Sequence, residues 1–471
     1  MKKTLKVLLI LILCLTMAFS SAGAYTLTDK FNEILEVYTY YHLDDTPEPE
    51  LLRDLLNALI TNHPETFDTV VGELVKLYDP YSHYYSVDQL EQQTAAKTSY
   101  GIGVTLRAVD GGFELVSVEE GTPAHYVGLK AGDVIRYING MSTRNLTVGV
   151  LSMLFNGDRW AENTIHFTRG ENKYRVTLKN DTIHASTVSF ETLADNVGYV
   201  RVTAFDAELN TYADFRVACQ KLAAAGCTRL LVDVRDNNGG DTNEMLNMIN
   251  FLVPEKDVHL ISFASKGDEK ETYYSTGSNT AFEKVGVLIN GMSISAAECM
   301  AYALQQSGRA TVIGQRSFGK GVGQYLVPLQ DGSMLSVTSL RAENAHGETY
   351  HGVGVTPDLE VLNTTAPFDT SSLLPLTQSQ ATSLRPGDSG EAVLALQQRM
   401  VLMGYLTEAE DSFDSQLELV IKLFQRACKL EETGRLNTAT YGRLNSTINY
   451  LASQEVTTDV QLEKALEWAS R

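Results

Sequence analysis

The centre of the chain holds the segment Gly291-Met292-Ser293-Ile294-Ser295-Ala296-Ala297-Glu298. The apolar run at residues 285–290 before it predicts a buried strand, and apolar residues at helical spacing after it predict a helix that ends at Gly308. Ser295 therefore falls at a strand-to-helix junction, where backbone N–H groups and the helix dipole favour a developing negative charge. This position makes Ser295 a candidate nucleophile.

A serine hydroxyl becomes a good nucleophile only when a base takes its proton. Lys320 is the candidate base, because it lies in a Gly-Lys-Gly loop between two strand-like runs and burial or a nearby cation could lower its pKa. Gln324, four positions on (324 − 320 = 4), could hold the amine without adding a charge. The alternative is that Ser295 and Glu298 form a capping box and that Lys320 is a solvated loop residue.

This region contains a series of short motifs in a characteristic order: Ser293-Ile294-Ser295-Ala296-Ala297-Glu298, Gln305, Gly308-Arg309-Ala310, Ile313-Gly314, Ser317-Phe318-Gly319-Lys320-Gly321 and Gln324. This order resembles the signature of the carboxyl-terminal processing (tail-specific) serine proteases. In that family the nucleophile is the second serine of the segment, which corresponds to Ser295. The general-base lysine follows 25 positions later, as Lys320 does here (320 − 295 = 25), and the supporting glutamine corresponds to Gln324.

A second part of the resemblance concerns the oxyanion hole. The run at residues 230–235 predicts a buried strand that leads into the turn Asp236-Asn237-Asn238-Gly239-Gly240. By the resemblance, this turn implies that a backbone N–H of Gly239 or Gly240 joins that of Ala296 in stabilising the oxyanion. Both glycines remain candidates.

Two histidines, His346 and His351, raise the alternative of a serine-histidine-aspartate triad. The chain has no Gly-x-Ser-x-Gly segment, because Gly291-Met292-Ser293-Ile294-Ser295 ends in serine instead of glycine. We therefore favour the Ser/Lys pair.

Residues 97–180 differ in pattern from what precedes them. Strand alternation is followed by Pro123-Ala124, Gly128-Leu129, Ala131-Gly132-Asp133-Val134-Ile135 and Ile138-Asn139-Gly140. This series resembles a PDZ domain of the bacterial, permuted kind. The resemblance implies that the backbone amides of the loop Tyr100-Gly101-Ile102-Gly103 bind a free carboxylate, that the strand from Val104 pairs with the peptide, and that a helix near Leu151 forms the second wall of the groove.

The C-terminal part of the chain carries another pattern. It includes Leu384-Arg385-Pro386-Gly387-Asp388-Ser389-Gly390, Leu396-Gln397, Gly404-Tyr405, Phe424-Gln425 and Thr433-Gly434. These residues resemble a small helical peptidoglycan-binding domain, although Asp411-Ser412-Phe413-Asp414 departs from the usual motif around its phenylalanine. Peptidoglycan is therefore a candidate partner, and a weak helical pattern at 447–471 predicts a tail that packs on this domain or remains mobile.

Composition narrows the remaining possibilities. The net charge of −20 argues against nucleic acid as a partner. No pair of cysteines has zinc-ligand spacing, and neither a metal site nor a cofactor is expected. Lys2, Lys3 and Lys6 precede an apolar run, and Ala22-Gly23-Ala24 offers a cleavage site, which predicts a secretory signal peptide; an uncleaved membrane anchor stays open. Helical periodicity in the following residues predicts core packing, with homo-oligomer formation through these helices as the alternative.

Together these patterns predict a multidomain α/β (mixed α+β) chain. The expected parts are a signal peptide (1–24), a helical region (25–96), a PDZ domain (97–180), a protease core (181–365), a linker (366–383), a peptidoglycan-binding-like domain (384–446) and a tail (447–471). The resemblance implies a serine endopeptidase that acts on protein or peptide substrates with free C-termini, and the signal peptide predicts that it is exported and is extracellular or at the cell envelope. The alternative is a catalytically weak PDZ and wall-binding adaptor at the envelope.

Overall fold

A computed structural model describes residues 25–41, 57–58, 60–95, 99–155, 160–183, 186–267 and 269–471. The predicted signal peptide lies outside the described residues. Within these ranges no helix combines the length and the apolar character that crossing a membrane requires.

The described helices are α1 Leu27–Tyr41, α2 Phe67–Tyr78, α3 Val87–Ala95, α4 Pro123–Tyr126, α5 Val148–Phe155, α6 Thr211–Ala224, α7 Thr242–Leu252, α8 Ala296–Gln306, α9 Gln378–Ser383, α10 Glu391–Leu402, α11 Ser415–Ala427, α12 Thr438–Ala452 and α13 Val460–Ser470. The strands are β1 His83–Tyr85, β2 Ser99–Gly101, β3 Val104–Val109, β4 Gly112–Val118, β5 Val134–Ile138, β6 Met141–Ser142, β7 Glu162–Arg169, β8 Asn172–Lys179, β9 Asp181–Ile183, β10 Val188–Thr192, β11 Val197–Val202, β12 Arg229–Asp233, β13 Lys256–Ala264, β14 Lys270–Thr276, β15 Lys284–Ile289, β16 Ala310–Gly314, β17 Val322–Pro328, β18 Met334–Glu343, β19 Leu359–Glu360, β20 Thr364–Pro367 and β21 Glu455–Thr458. This mixture confirms the predicted α/β class.

The chain forms two compact units. The first comprises the described residues up to Ala95 together with those of Ile261–Tyr273 and Gly321–His351. In it the long strand β18 pairs antiparallel with β1, β13 and β17. Helices α1 and α2 bury Phe31, Ile34 and Val71 against this sheet, so the apolar face of the N-terminal helices packs in the core as the periodicity predicted.

The second unit comprises Ala96–Leu260, Tyr274–Lys320 and Gly352–Arg471. Its central sheet has the strand order β10-β11-β12-β15-β16-β19, with all neighbours parallel except β10 and β11. The runs in β11, β12 and β15 are almost continuously apolar, as expected for parallel strands that are covered on both faces. The loops at the C-terminal ends of β12 and β15 carry the segments that the sequence analysis singled out.

Helix α13 covers one face of this central sheet. Its Ala465 and Ala469 are completely buried there, together with Leu231 and Leu288. Gly286 makes the contact possible, because a side chain at that position would lie 2.9 Å from the Trp468 ring. Residues 447–452 complete α12 of the preceding domain, whereas α13 packs on the central sheet and not on that domain, so the predicted tail at 447–471 is not one unit.

The second unit also contains a separate sheet with the order β3-β4-β5-β7-β8. This sheet lies in the segment that resembles a PDZ domain. Its core is continuous with that of helices α10–α12, because buried residues such as Leu146, Leu151 and Leu417 belong to one apolar cluster. Polar contacts join the same two parts. Asn145 accepts hydrogen bonds from Glu408 N (2.8 Å) and Thr407 Oγ1 (2.6 Å).

The predicted linker at 366–383 contains a short helix, α9, at its end. Thr377 and Gln380 form a capping box at its start, and Ala381 is fully buried. The four cysteines of the described residues are free thiols; Cys219, Cys227 and Cys299 are buried in the interior, as expected for small apolar residues, and Cys428 is half-buried.

Candidate active site

Ser295 occupies a strained turn between β15 and α8. It is the N-cap residue of α8, with φ +59° and ψ −116°. A non-glycine residue at such angles costs roughly 1–3 kcal/mol and persists only where the surroundings hold it. Those surroundings include hydrogen bonds from Ser293 Oγ to Val234 O (2.8 Å) and from Ile294 N to Asn237 O (2.9 Å). The result is a sharp strand-to-helix turn of the kind that presents a nucleophile.

The carboxylate of Glu298 joins this turn to the lysine loop. Glu298 is completely buried. Its Oε2 accepts hydrogen bonds from Ser295 N (2.9 Å) and Lys320 N (2.8 Å), and its Oε1 accepts from Ser317 Oγ (2.6 Å) and Gly319 N (2.5 Å). The backbones of Ser295 and Lys320 therefore meet at a single oxygen atom. The sequence analysis had assigned Glu298 no role beyond capping.

The lysine loop is also held from its other side. Gly319 has φ +104°, and a side chain there would lie 3.1 Å from Gly354 N. Gly352 N donates to Gly319 O (2.8 Å), and Val355 N donates to Ser317 Oγ (2.6 Å). The glycine-rich motif at 352–355 thus packs directly against the loop that carries Lys320, which is half-buried.

The predicted oxyanion residues lie beside Ser295. A side chain on Gly239 would lie 2.9 Å from Ser295 Cβ and 3.0 Å from Ala296 N. Gly239 N donates to Asn237 Oδ1 (2.8 Å), so this N–H is engaged. Across the part of the chain that the structure describes, the N–H groups of Ala296 and Gly240 have no hydrogen-bond partner.

Gln324 belongs to the first unit. It follows an irregularity in the pairing of β17 with β18, and its Nε2 donates to Thr338 Oγ1 at 3.4 Å. The histidines of the alternative triad also belong to this unit. His351 Nδ1 accepts a hydrogen bond from Gly321 N (3.3 Å), and its ring packs edge-on against Tyr81.

The strand that leads into the 236–240 turn ends in a charged cluster. Arg235, which is 5% exposed, donates to Asp233 Oδ2 (2.7 Å), Asp459 Oδ1 (2.5 Å) and Gln461 Oε1 (3.2 Å). Burial alone would lower the pKa of the Arg235 guanidinium, but its hydrogen bonds to the two aspartates raise that pKa above its ordinary value. Asp459 is the N-cap of α13, so Arg235 joins the start of this helix to the strand before the 236–240 turn.

The segment Tyr100–Val104 is only partly the loop that the sequence predicted, because Tyr100 and Gly101 belong to β2, which pairs with β9, and Val104 begins β3 of the PDZ-like sheet. β3 is the terminal strand of this sheet and α5 packs beside it. Gly103 has φ +76°, and Ala124 N donates to Ile102 O (3.0 Å). Leu151 is fully buried in the apolar cluster. A free strand edge beside a helix is the geometry that β-augmentation requires.

A cleft of about 410 Å³ opens in the C-terminal domain. It is lined by Thr382, Arg385, Thr433, Arg435, Leu436, Asn437 and Thr438. Within this cleft the Arg385 guanidinium donates to Thr382 O (2.8 Å) and Leu384 O (2.7 Å). The sequence analysis had not singled out these residues as a site.

Three segments of the chain match known protein families. Residues 196–361 match "Peptidase family S41", residues 92–150 match "PDZ domain", and residues 389–444 match "Putative peptidoglycan binding domain". The "Carboxy-terminal processing protease CtpA" of Bacillus subtilis (strain 168) is 29% identical over 401 residues, which cover 84% of each chain. The "Probable CtpA-like serine protease" of Staphylococcus aureus (strain MRSA252) is 28% identical over 377 residues, which cover 78% of this chain and 73% of that protein.

Among solved structures, the photosystem II D1 C-terminal processing protease aligns with 71% of this chain and 93% of its own, at 24% identity and a TM-score of 0.45. The chain therefore contains a segment that matches peptidase family S41, together with segments that match a PDZ domain and a putative peptidoglycan-binding domain, and over most of its length it is similar to carboxy-terminal processing proteases.

Proposed function

We propose that the chain is a serine endopeptidase that binds the free C-terminus of a protein in its PDZ groove and cleaves the bound chain with Ser295 and Lys320. The observation that carries the proposal is the strained turn at Ser295, whose φ of +59° is maintained by a buried carboxylate that also binds the backbone of Lys320. Strain of this kind is concentrated at functional sites. A serine that only capped its helix would adopt ordinary extended angles.

In the proposed reaction, Ser295 Oγ attacks the carbonyl carbon of the substrate while Lys320 Nζ accepts the hydroxyl proton. The tetrahedral intermediate then collapses, the C–N bond breaks, and Lys320 returns the proton to the leaving amine. Water hydrolyses the resulting ester, with Lys320 again taking and returning a proton. Gln324 is proposed to orient the lysine amine.

The oxyanion is proposed to accept hydrogen bonds from Ala296 N–H and from one glycine of the 236–240 turn. In the present conformation Gly240 is the available donor, because Asn237 Oδ1 engages Gly239 N–H. Gly239 could serve once the Asn237 side chain releases it. Removal of one oxyanion donor typically lowers kcat by about 10²–10³-fold.

The test is cleavage of an unstructured protein with an apolar C-terminus by the wild type, Ser295→Ala and Lys320→Ala. Both variants are expected to lose activity by about 10⁴-fold or more. Ser307→Ala, at the opposite end of α8, and Lys256→Ala, whose side chain is 71% exposed, are the matched controls. Retained cleavage in Ser295→Ala or in Lys320→Ala would refute the assigned pair.

Binding of the C-terminus by the PDZ domain is tested by a comparison of two substrates. A substrate that ends in a free carboxylate should be cleaved with a lower KM than the same substrate ending in an amide, because the amide removes the negative charge from the 100–103 loop. Equal KM values would show that the groove does not recognise the terminal carboxylate.

The second candidate function is a PDZ and wall-binding adaptor at the cell envelope. It is favoured by the apolar core that the PDZ domain shares with the C-terminal domain and by the arginine-lined cleft. The wild type should then co-sediment with purified peptidoglycan, and Arg385→Ala and Arg435→Ala should weaken this binding, whereas the exposed Arg443→Ala on α12 should not. Peptidoglycan binding without cleavage of any protein would favour the adaptor over the protease.

A further inference from the structure

The buried carboxylate of Glu298 has a set of partners that capping does not require. A helix cap needs the contact between the Glu298 side chain and Ser295 N. The remaining three donors are Ser317 Oγ, Gly319 N and Lys320 N, which lie 19–22 residues further along the chain. All belong to the loop that carries Lys320.

The four contacts suit an ionised carboxylate. Each oxygen of Glu298 accepts two hydrogen bonds, and an ionised carboxylate has four acceptor sites and no donor. A glutamine of the same shape would place its N–H₂ group against a backbone N–H whichever way the amide turned, either against Ser295 N and Lys320 N or against Gly319 N. The site therefore distinguishes glutamate from glutamine by hydrogen bonding alone, since the two side chains have nearly equal volumes.

We propose that Glu298 is the positioning residue of the active site and aligns the nucleophile and the base through their backbones. This inference rests on the proposed function, because it assumes that Ser295 and Lys320 react together. Glu298 Oε2 draws Ser295 N and Lys320 N to one point, while Oε1 fixes the preceding turn of the lysine loop through Ser317 and Gly319. Without the carboxylate, the turn at Ser295 loses the contact that opposes its strain, and the lysine loop loses its attachment to α8.

The test compares Glu298→Gln with Glu343→Gln. Glu343 is a matched control, because it is also a buried glutamate (2% exposed) with several donors, Lys270 and Arg341, but none of these belongs to the proposed site. The first readout is the rate at which a small fluorophosphonate labels Ser295, which does not depend on capture of a C-terminus by the PDZ domain. Thermal unfolding shows whether each variant is folded.

Glu298→Gln is expected to be folded and to label about 100-fold more slowly than the wild type, the loss that accompanies a misplacement of about 1 Å. Its cleavage should fall in kcat with little change in KM, because substrate capture is unaffected. Glu343→Gln should keep the wild-type labelling rate, kcat and KM.

If Glu298→Gln does not fold, Ser317→Ala takes its place, because it removes one donor from Oε1 without adding a new group. It should lower the labelling rate by about 10-fold, with rescue in Ser317→Thr, which retains the hydroxyl. Labelling at the wild-type rate in folded Glu298→Gln, or in Ser317→Ala where the first variant is unfolded, overturns the inference. A wild type that neither labels nor cleaves would instead refute the proposed function.

Discussion

Two buried charged groups hold the segments around Ser295, and they do so in different ways. Glu298 binds four uncharged donors, all within 22 residues of it in the chain. Arg235 binds two aspartates and a glutamine, and its contacts with Asp459 and Gln461 span 224 and 226 residues. The first group aligns the candidate reacting residues with each other, whereas the second attaches the end of the chain to the strand before the oxyanion turn.

We therefore expect the two groups to affect different properties: Glu298 mainly the reaction, and the contacts of α13 mainly the stability of the fold. Loss of the Glu298 contacts should impair the reaction more than it lowers the free energy of unfolding, because local backbone geometry depends on them. Loss of the α13 contacts should have the opposite effect, since α13 covers an apolar face of the central sheet. Substitutions in the two regions can therefore be compared by the ratio of lost activity to lost stability.

The largest effect on stability is expected from Trp468→Ala in α13. The Trp468 ring packs over Gly286, where an added side-chain carbon would lie 2.9 Å from it, and the Lys284 ammonium lies 4.2 Å from the ring centroid. Truncation should leave a cavity on the sheet and lower the free energy of unfolding by about 3 kcal/mol. Urea denaturation measures the change.

The control for this prediction is Tyr450→Ala on α12, where the aromatic ring is 63% exposed. Its free energy of unfolding should change by less than about 0.5 kcal/mol. Equal losses in the two variants would mean that α13 does not stabilise the core, and the proposed contrast with the Glu298 region would fail.

A smaller loss of stability with a larger loss of activity is expected from Gly319→Ala. At φ +104° an alanine is strained by roughly 1–2 kcal/mol. Its methyl group would also lie too close to Gly354 N, and the backbone shift that relieves this contact would displace the Gly319 N–H from Glu298. Gly121→Ala is matched, because Gly121 has φ +81° with no atom within 4 Å of the added carbon. Both variants should lose similar stability, but Gly319→Ala alone should slow the labelling of Ser295, by about 10-fold or more.

The sequence predicted the parts of the site that depend on local order. Ser295, Ala296 and Lys320 lie close together in the chain, since Lys320 follows Ser295 by 25 positions (320 − 295 = 25). Residue types and spacing were therefore enough to group them. The positive φ of Ser295 was not predicted, because serine rarely adopts it and only the tertiary contacts of the turn impose it. The extra donors of Glu298 were missed for the same reason, since its spacing from Ser295 already had a sufficient explanation in a capping box.

The position of α13 could not be read from the sequence at all. Residues 460–470 show a short amphipathic pattern, which predicts a helix but does not identify the surface that the helix covers. Its partner strands lie far back in the chain and are already apolar on both faces. Gly286 is the only hint that the sequence offered, and a glycine within a buried strand indicates close approach by some other group without saying which.

The smallest effect is expected from Asp459→Asn, and it should depend on pH. Partial burial would raise the pKa of the Asp459 carboxyl, but hydrogen bonds from Arg235 hold that pKa below its ordinary value in the folded protein. A carboxyl with a lowered folded pKa stabilises the fold above its unfolded pKa of about 4, and this contribution is lost as the pH falls through the folded value. Since the Asp459 side chain is 44% exposed, the contribution should stay below about 1 kcal/mol.

The measurement is the free energy of unfolding of Asp459→Asn and the wild type between pH 7 and pH 3, with Glu463→Gln, an exposed residue of α13, as the control. The wild type should exceed Asp459→Asn at pH 7 and converge with it in acid, while Glu463→Gln should follow the wild type throughout. Labelling of Ser295 at pH 7 should be unchanged, because Asp459 holds the strand and not the reacting groups. A drop in labelling without a drop in stability would show that Arg235 also aligns the oxyanion turn, so that the two charged groups would share one role.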